Sequence, residues 1–334
     1  MVSAVIFVAT SCVSPLTGFA FWETNLAYEG ESIYNYLQVK NLSDRTILST
    51  NVLFGVQSVT MKDKGLTGMY YDTALAAPAL ADNADSALIL GMGTGTYARQ
   101  LKQYYPKMNI TGVEIDQKIT DLAGEYFDEP ADIPVTTYDG RAWLAASHDK
   151  YDVIMVDAYQ DITIPFQMSS TEFFTMVREH LNPGGVMVVN MNMISDGQGS
   201  INEALSDTIA SVFGNGNTLT ADVPNTTNRE LFAKKPGSGS EENSMQQASK
   251  ALNLRETTYE RTSSEDLEWY MEEVASRFRK VNEPDSASTI LTDDKAPVEV
   301  LGMHAIDQII ADEAGPYRQI LKDEGFGGLL RAVQ

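Results

Sequence analysis

The hydrophobic pattern changes period several times along the chain. The first stretch, "MVSAVIFVATSCVSPLTGFAFW" from Met1 to Trp22, carries no charge until Glu23. It is close to bilayer length, although Pro15, Gly18 and several hydroxyl residues dilute it. No Lys or Arg leads it, as a secretory signal would require, and "ATSC" before Cys12 is a poor lipoprotein-like site. It is read as a membrane-embedded segment, with a buried hairpin or helix as the alternative. Between Ser32 and Met61, "YNYLQV", "RTILST" and "VQSVTM" are short β-prone runs between polar turns and predict a small antiparallel sheet. "YYDTALAAPALAD" predicts a helix that ends near Pro78 and Asp82.

From Ala84 the pattern alternates between strand and helix. "SALILG", "NITGVEID", "VTTYDG", "YDVIMVDAY" and "VMVVNMN" are apolar strands. Between them, "YARQLKQYY", "ITDLAGEYF", "GRAWLAAS" and "SSTEFFTMVREHL" have helical spacing, the last with a capping box from Ser169 to Glu172 and a stop at "NPGG". "NRELFAKK" is the last strand expected. Strands separated by single helices mean a parallel, doubly wound α/β sheet. At "KKPGSGSEENS" the composition becomes that of a linker. Beyond it, Leu267, Met271, Val274 and Phe278 fall on one helical face, so the C-terminal region reads as mostly helical. The expected organisation is a hydrophobic segment over 1–22, a β domain over 23–83, a Rossmann-like domain over 84–236, and a linker with helices over 237–334.

Charge narrows the choice of partner. The chain has 46 acidic and 24 basic residues, a net charge of −22. Phosphate backbones are repelled and small cations attracted, so no nucleic acid is expected as a partner. One cysteine, Cys12, allows no intrachain disulfide, and three scattered histidines (His148, His180, His304) have no metal-ligand spacing. No metal is expected, and the histidines are read as structural.

The candidate chemistry lies at strand ends. "LILGMGTGTYARQL" runs from an apolar strand through Gly91, Gly93 and Gly95 into a helix, a G-x-G-x-G turn rather than the dinucleotide fingerprint. Glu114 ends the second strand, 23 residues after Gly91, where a carboxylate can accept both ribose hydroxyls. Asp139 and Gly140 follow the third strand, placed to bond an adenine amine and to admit the ring. Asp157 and Asp161 follow the fourth. Each acid alone reads equally well as a cap or turn residue. Together, at the carboxyl edge of one sheet, they point to an adenosyl group without a pyrophosphate.

The block from Tyr34 to Asn190 resembles the spermidine synthases, the polyamine aminopropyltransferases, and in particular a membrane-associated bacterial branch. The resemblance rests on "YNYLQV", "GVQS", "YYDTALAAPAL", "LILGMGTGTYARQL", "VEID", "YDGRAWL" and "YDVIMVDAY". It implies a small β domain before a methyltransferase-like Rossmann domain. It also implies a sulfonium co-substrate, normally decarboxylated S-adenosylmethionine, with no permanently bound cofactor. Glu114 would then hold the ribose, Asp139 the adenine, and Gln57 and Tyr70 the ligand from the N-terminal side, with Asp157 as the catalytic aspartate. The chain departs from the family pattern at Thr94, where the family has an Asp, at Asn35 for Gln, at Gln160 within D-x-x-D, and in the missing tyrosine of "VPNTTNREL".

Three functions fit. An aminopropyltransferase would use Asp157 as base, with Asp161 and Tyr159 toward a putrescine-like amine. A methyltransferase would use intact S-adenosylmethionine, and a non-catalytic module would bind polyamine or nucleoside. Membrane association with the catalytic part facing the cytoplasm is expected, the alternative being a cytoplasmic protein; assembly as a homodimer is left open. "LTDDKAPVEV" reads as a turn at Asp293 and Asp294 in which Asp bonds its own downstream backbone.

Overall fold

In the computed structural model the described residues are 20, 23–51, 56–63, 65–128, 130–159, 164–192, 199–237, 244–286, 288–305 and 322. Met1–Trp22 therefore lies almost wholly outside them, as do Cys12, Asp161 and the centre of the linker-like stretch. Among the described residues no helix is long and apolar enough to cross a membrane.

Two sheets organise the chain. The first is antiparallel, in the order β1 (Leu26–Glu31), β2 (Tyr36–Asn41), β3 (Arg45–Thr50), β4 (Ser58–Met61). The first of these strands precedes the expected three. The second sheet has eight strands in the order β12 (Phe278–Lys280), β10 (Thr218–Asp222), β11 (Arg229–Lys234), β9 (Leu181–Met191), β8 (Tyr151–Val156), β5 (Ser86–Leu90), β6 (Asn109–Glu114), β7 (Val135–Thr137). From β7 to β9 all pairs are parallel; β11, β10 and β12 are added antiparallel. The expected last strand, at "NRELFAKK", is thus β11 and not the final one. β10 and the distant β12 complete the sheet edge.

The parallel strands are apolar on both sides because both faces are covered. In β5, Ala87 and Ile89 enter one core, while Leu88 and Leu90 enter the other. β8 divides in the same way, Val153 and Met155 from Ile154 and Val156. The C-terminal helices belong to the first core. Of α9 (Ala251–Thr262) and α10 (Glu265–Arg277), Leu254, Leu267, Met271 and Val274 are fully buried in it. Truncating one such leucine to alanine costs roughly 2–5 kcal/mol. Arg261 of α9 donates to the carbonyls of Pro78, Ala81 and Asp82. Phe278, grouped with the helical face by its spacing, instead opens β12 and is half-buried.

Two local expectations need correction. The helix expected over "YYDTALAAPALAD" is two short ones, α1 (Tyr70–Ala74) and α2 (Ala76–Leu80), joined at Leu75, and Pro78 lies within the second. A proline close to a helix start loses no intrahelical bond, so it need not end the helix. The cap of α6 (Thr171–His180) is Ser170, whose hydroxyl accepts from Phe173 N, one residue later than the expected box. Glu172 instead accepts from Thr171 Oγ1 and Asp293 N.

The small sheet is fastened over the glycine turn. Leu37, Val39 and Leu48 pack with Ile119, Leu122 and Phe127 from the segment holding α4 (Gln117–Tyr126). Thr96, at the start of α3 (Thr96–Tyr104), both accepts from Val59 N at 3.1 Å and donates to Val59 O at 2.8 Å. A cleft forms between the small sheet and the carboxyl edge of the large one.

Candidate active site

The cleft opens to solvent. Of the residues singled out from sequence, Gln57, Gly91, Gly93, Glu114, Asp139, Gly140, Asp157 and Tyr159 line it. Asp161 lies outside the described residues. Tyr70 and Gly95 stand behind the wall. Among the described lining residues three are carboxylates, Glu114, Asp139 and Asp157, and none is Lys, Arg or His.

The glycine turn is shaped by the neighbouring strand. Gly91 has φ of 88°, and a Cβ there would lie 2.3 Å from the Asp157 carbonyl oxygen. Only glycine both adopts that conformation readily and lets the backbone after β8 pass so closely. Gly95 serves the helix rather than the cleft, as the residue preceding α3. Thr94, where the family has an acid, is fully buried, with its hydroxyl oxygen unpartnered.

Glu114 is buried at the end of β6. Its Oε2 accepts from Gly93 N at 2.8 Å and its Oε1 from Asp116 N at 3.0 Å, which ties the turn to the second strand. Burial raises its pKa, and these two N–H groups oppose the rise. Asp116 caps α4 and also accepts from Ser32 Oγ (2.6 Å) and Asn35 Nδ2 (3.0 Å), which brings Tyr34 and Asn35 to the cleft. Asp139 caps α5 (Gly140–Ala146), Oδ1 accepting from Ala142 N at 2.7 Å. A Cβ on Gly140 would meet protein atoms only at 3.6 Å or beyond, so no protein contact demands glycine there.

Asp157 forms the floor. Its Oδ2 accepts from Tyr70 Oη at 2.6 Å and its Oδ1 from Asn190 Nδ2 at 2.9 Å. Burial pushes its pKa up to about 7, with a further rise from Glu114, while the Tyr70 and Asn190 hydrogen bonds hold it down. Tyr159 lines the cleft, but its hydroxyl is engaged with β9, donating to the Asn190 carbonyl and accepting from Asn192 N.

Sequence reasoning did not single out Asn190, Tyr71 or the apolar lining residues Ile115 and Tyr138. Asn190 was detectable as an amide within the apolar run "VMVVNMN"; the others carry no such signal. Asp293 is not in the cleft. It is paired bidentately with Arg141 (2.7 and 2.6 Å) and accepts from Ser170, rather than bonding its own downstream backbone. The turn itself is present, closed by reciprocal Thr292 and Lys295 backbone bonds.

Strand order, glycine turn and acidic edge define a Rossmann-like protein of the methyltransferase type. The sequence model of the spermine/spermidine synthase domain matches residues 70–235. A probable polyamine aminopropyl transferase of Bifidobacterium longum (strain NCC 2705) is 99% identical over 334 residues, all of this chain and 75% of that protein. A polyamine aminopropyltransferase of Vibrio vulnificus (strain CMCP6) is 28% identical over 209 residues, 60% of this chain and 69% of that one. The chain belongs to the spermine/spermidine synthase family, the polyamine aminopropyltransferases. Among solved structures, a probable spermidine synthase from Corynebacterium glutamicum ATCC 13032 superposes with TM-score 0.56 at 21% identity, over 80% of this chain and 99% of that one. A spermidine synthase in complex with the transition-state analogue AdoDATO gives 0.53 at 19%, over 64% and 75%. At these identities the two structures support the fold.

Proposed function

We propose that this chain transfers an aminopropyl group from decarboxylated S-adenosylmethionine to a putrescine-like amine, with Asp157 as the base. The observation that carries this reading is the cleft lining: three carboxylates and no cationic side chain among the described residues, with one of the acids held near neutrality. Glu114 accepts the ribose hydroxyls, Asp139 the adenine amine, and the turn at Gly91 and Gly93 admits the adenosyl group. Gln57 and Tyr70 serve from the N-terminal side, one at the wall and one behind Asp157. Tyr159 walls the amine path, and Asp161 would hold the distal ammonium.

The chemistry follows from the charges. A primary amine titrates near 10.4 and must lose a proton before it attacks. Asp157, ionised above its pKa of about 7, accepts that proton. The amine nitrogen bonds the carbon beside the sulfonium, the carbon–sulfur bond breaks, and its electron pair remains on sulfur as the neutral thioether. No covalent intermediate with the protein forms, and alignment of nitrogen, carbon and sulfur supplies much of the acceleration. Release of methylthioadenosine from decarboxylated ligand plus diamine tests the reading. Consumption of intact S-adenosylmethionine alone would favour a methyltransferase.

Membrane attachment through Met1–Trp22 belongs to the same proposal, supported by the absence of charge over that run. Full-length protein should resist a carbonate wash of the membrane fraction, and removal of the first 22 residues should abolish that retention. Equal behaviour of the two forms would end the membrane reading.

A further inference from the structure

At the cleft floor two adjacent tyrosines, Tyr71 in the lining and Tyr70 behind it, form a chain of oxygens. Tyr70 Oη lies 2.6 Å from Asp157 Oδ2 and 2.7 Å from Tyr71 Oη, and Tyr71 Oη lies 2.9 Å from the Gln57 carbonyl oxygen. Both tyrosines are 5% exposed, and their rings stack at 4.0 Å between centroids. There are three oxygen–oxygen contacts, and the two tyrosines supply two protons. If Asp157 is ionised, Tyr70 gives its proton to the carboxylate and Tyr71 gives its own to Gln57 O. The 2.7 Å contact between the hydroxyls is then left without one. Turning Tyr71 toward Tyr70 moves the deficit to the Gln57 carbonyl without removing it. If Asp157 carries a proton, each contact becomes a hydrogen bond: Asp157 to Tyr70, Tyr70 to Tyr71, Tyr71 to Gln57 O.

We propose that Tyr71 is a positioning residue for the transferred proton, completing a chain from Asp157 to the Gln57 carbonyl that is filled only when Asp157 is protonated. The inference rests on Asp157 being the base and adds what retains the proton after the amine has given it up. The proton so held is the one given up by the substrate ammonium before attack; the nitrogen then takes on the positive charge that leaves the sulfonium when the carbon–sulfur bond breaks. The chain also couples the small sheet to the chemistry, because Gln57 N donates to Leu48 O of β3.

Other groups face Asp157 and act on the same equilibrium. Glu114 on β6 and Glu230 on β11 are buried acids, and Tyr159 is a buried phenol beyond the end of β8. Asn190 on β9 donates to Asp157 Oδ1. Tyr71 also has the Ser58 and Thr96 hydroxyls beside it. Removing the Tyr71 hydroxyl leaves Glu114, Glu230, Tyr159 and Asn190 in place, and frees the Ser58 and Thr96 hydroxyls from their contact with it.

The test is Tyr71→Phe in the full chain. In the variant Tyr70 gives its proton to an ionised Asp157 with no competing contact, so the ionised form gains. The acidic limb of the pH–rate profile should move to lower pH by roughly one unit, the shift equivalent to one hydrogen bond of ordinary net strength. A limb that stays in place while turnover falls would overturn the proposal, since loss of packing scales the rate without moving the profile. The Asp157 carboxyl should show the same shift by carbon NMR with labelled aspartate, its signal identified by its loss in Asp157→Asn. That titration needs no turnover. A wild type that does not react with decarboxylated ligand and diamine would remove the functional reading, while an equal carboxyl titration in both proteins would remove the chain.

Discussion

Glu230 stands directly across from Asn190 in the antiparallel pair of β11 and β9, and Asn190 donates to Asp157. Glu230 is fully buried, and neither of its carboxyl oxygens has a hydrogen-bond partner. Burial first, and the charge of Asp157 second, raise its pKa well above the usual value. Burial therefore favours the protonated form of this carboxyl, packed behind the catalytic floor.

The linkage has a definite sign. A carboxyl whose native pKa exceeds its unfolded value binds a proton that the unfolded chain has released. Stability then falls as pH rises above the unfolded value, near 4.5. Glu230→Gln, which cannot ionise, should be more stable than wild type at neutral pH by about 1–3 kcal/mol. The gap should close as pH approaches 4.5. Urea unfolding at pH 4.5 and 7.5 measures it, and an equal difference at both pH values would contradict a neutral buried Glu230.

Asp157→Asn should keep adenosyl-ligand affinity and reduce turnover by about 10²–10⁴-fold, the range for losing a general base. In wild type, the base form appears as pH rises through about 7, so activity should climb across that region from the acid side. A profile flat between pH 6 and 8, or a variant with full turnover, would take Asp157 out of the mechanism.

Much of this site was legible because its acids end strands of a regular alternation. Glu114 and Asp157 follow the apolar runs of β6 and β8, and parallel strand ends converge at one edge whatever the loops do. The sheet's antiparallel edge was less legible. β10 reads "TLTAD", too short and polar to stand out, and β12 is three residues that pair only because the C-terminal helices carry them back. Tyr71 was hidden for a different reason. In "MYYDTA" nothing distinguishes a phenol that supports the neighbouring Tyr70 from one that merely fills the core. Only the oxygen–oxygen distances separate the two roles.

Glu114→Ala should weaken binding of methylthioadenosine or the sulfonium ligand by roughly 1–3 kcal/mol in calorimetry. Two effects combine here: loss of the acceptor for the ligand, and release of Gly93 N and Asp116 N, which Glu114 now satisfies. Glu114→Gln separates them, since its amide oxygen can still accept from one of these N–H groups. If alanine and glutamine bind the ligand as well as wild type does, Glu114 has no part in holding it.

The cleft also predicts a preference between the two sulfonium ligands. Intact S-adenosylmethionine brings a carboxylate that its decarboxylated form lacks, and no Lys, Arg or His lines the described cleft to meet it. Glu114, Asp139 and Asp157 face that charge instead. At separations of several ångströms and an effective dielectric between those of protein surface and water, each such pair repels by about 1 kcal/mol or more. Thr94 gives the ligand's amine no charged partner, so the preference must come from repulsion of the carboxylate rather than from a salt bridge to the aminopropyl group. Decarboxylated ligand should therefore bind at least about tenfold more tightly than the intact form at low salt, with the ratio shrinking as salt screens the exposed part of the field. Competition calorimetry at two ionic strengths reads both quantities. Tighter binding of intact S-adenosylmethionine would mean that a cation outside the described lining reaches the site, and would turn the assignment toward methyl transfer.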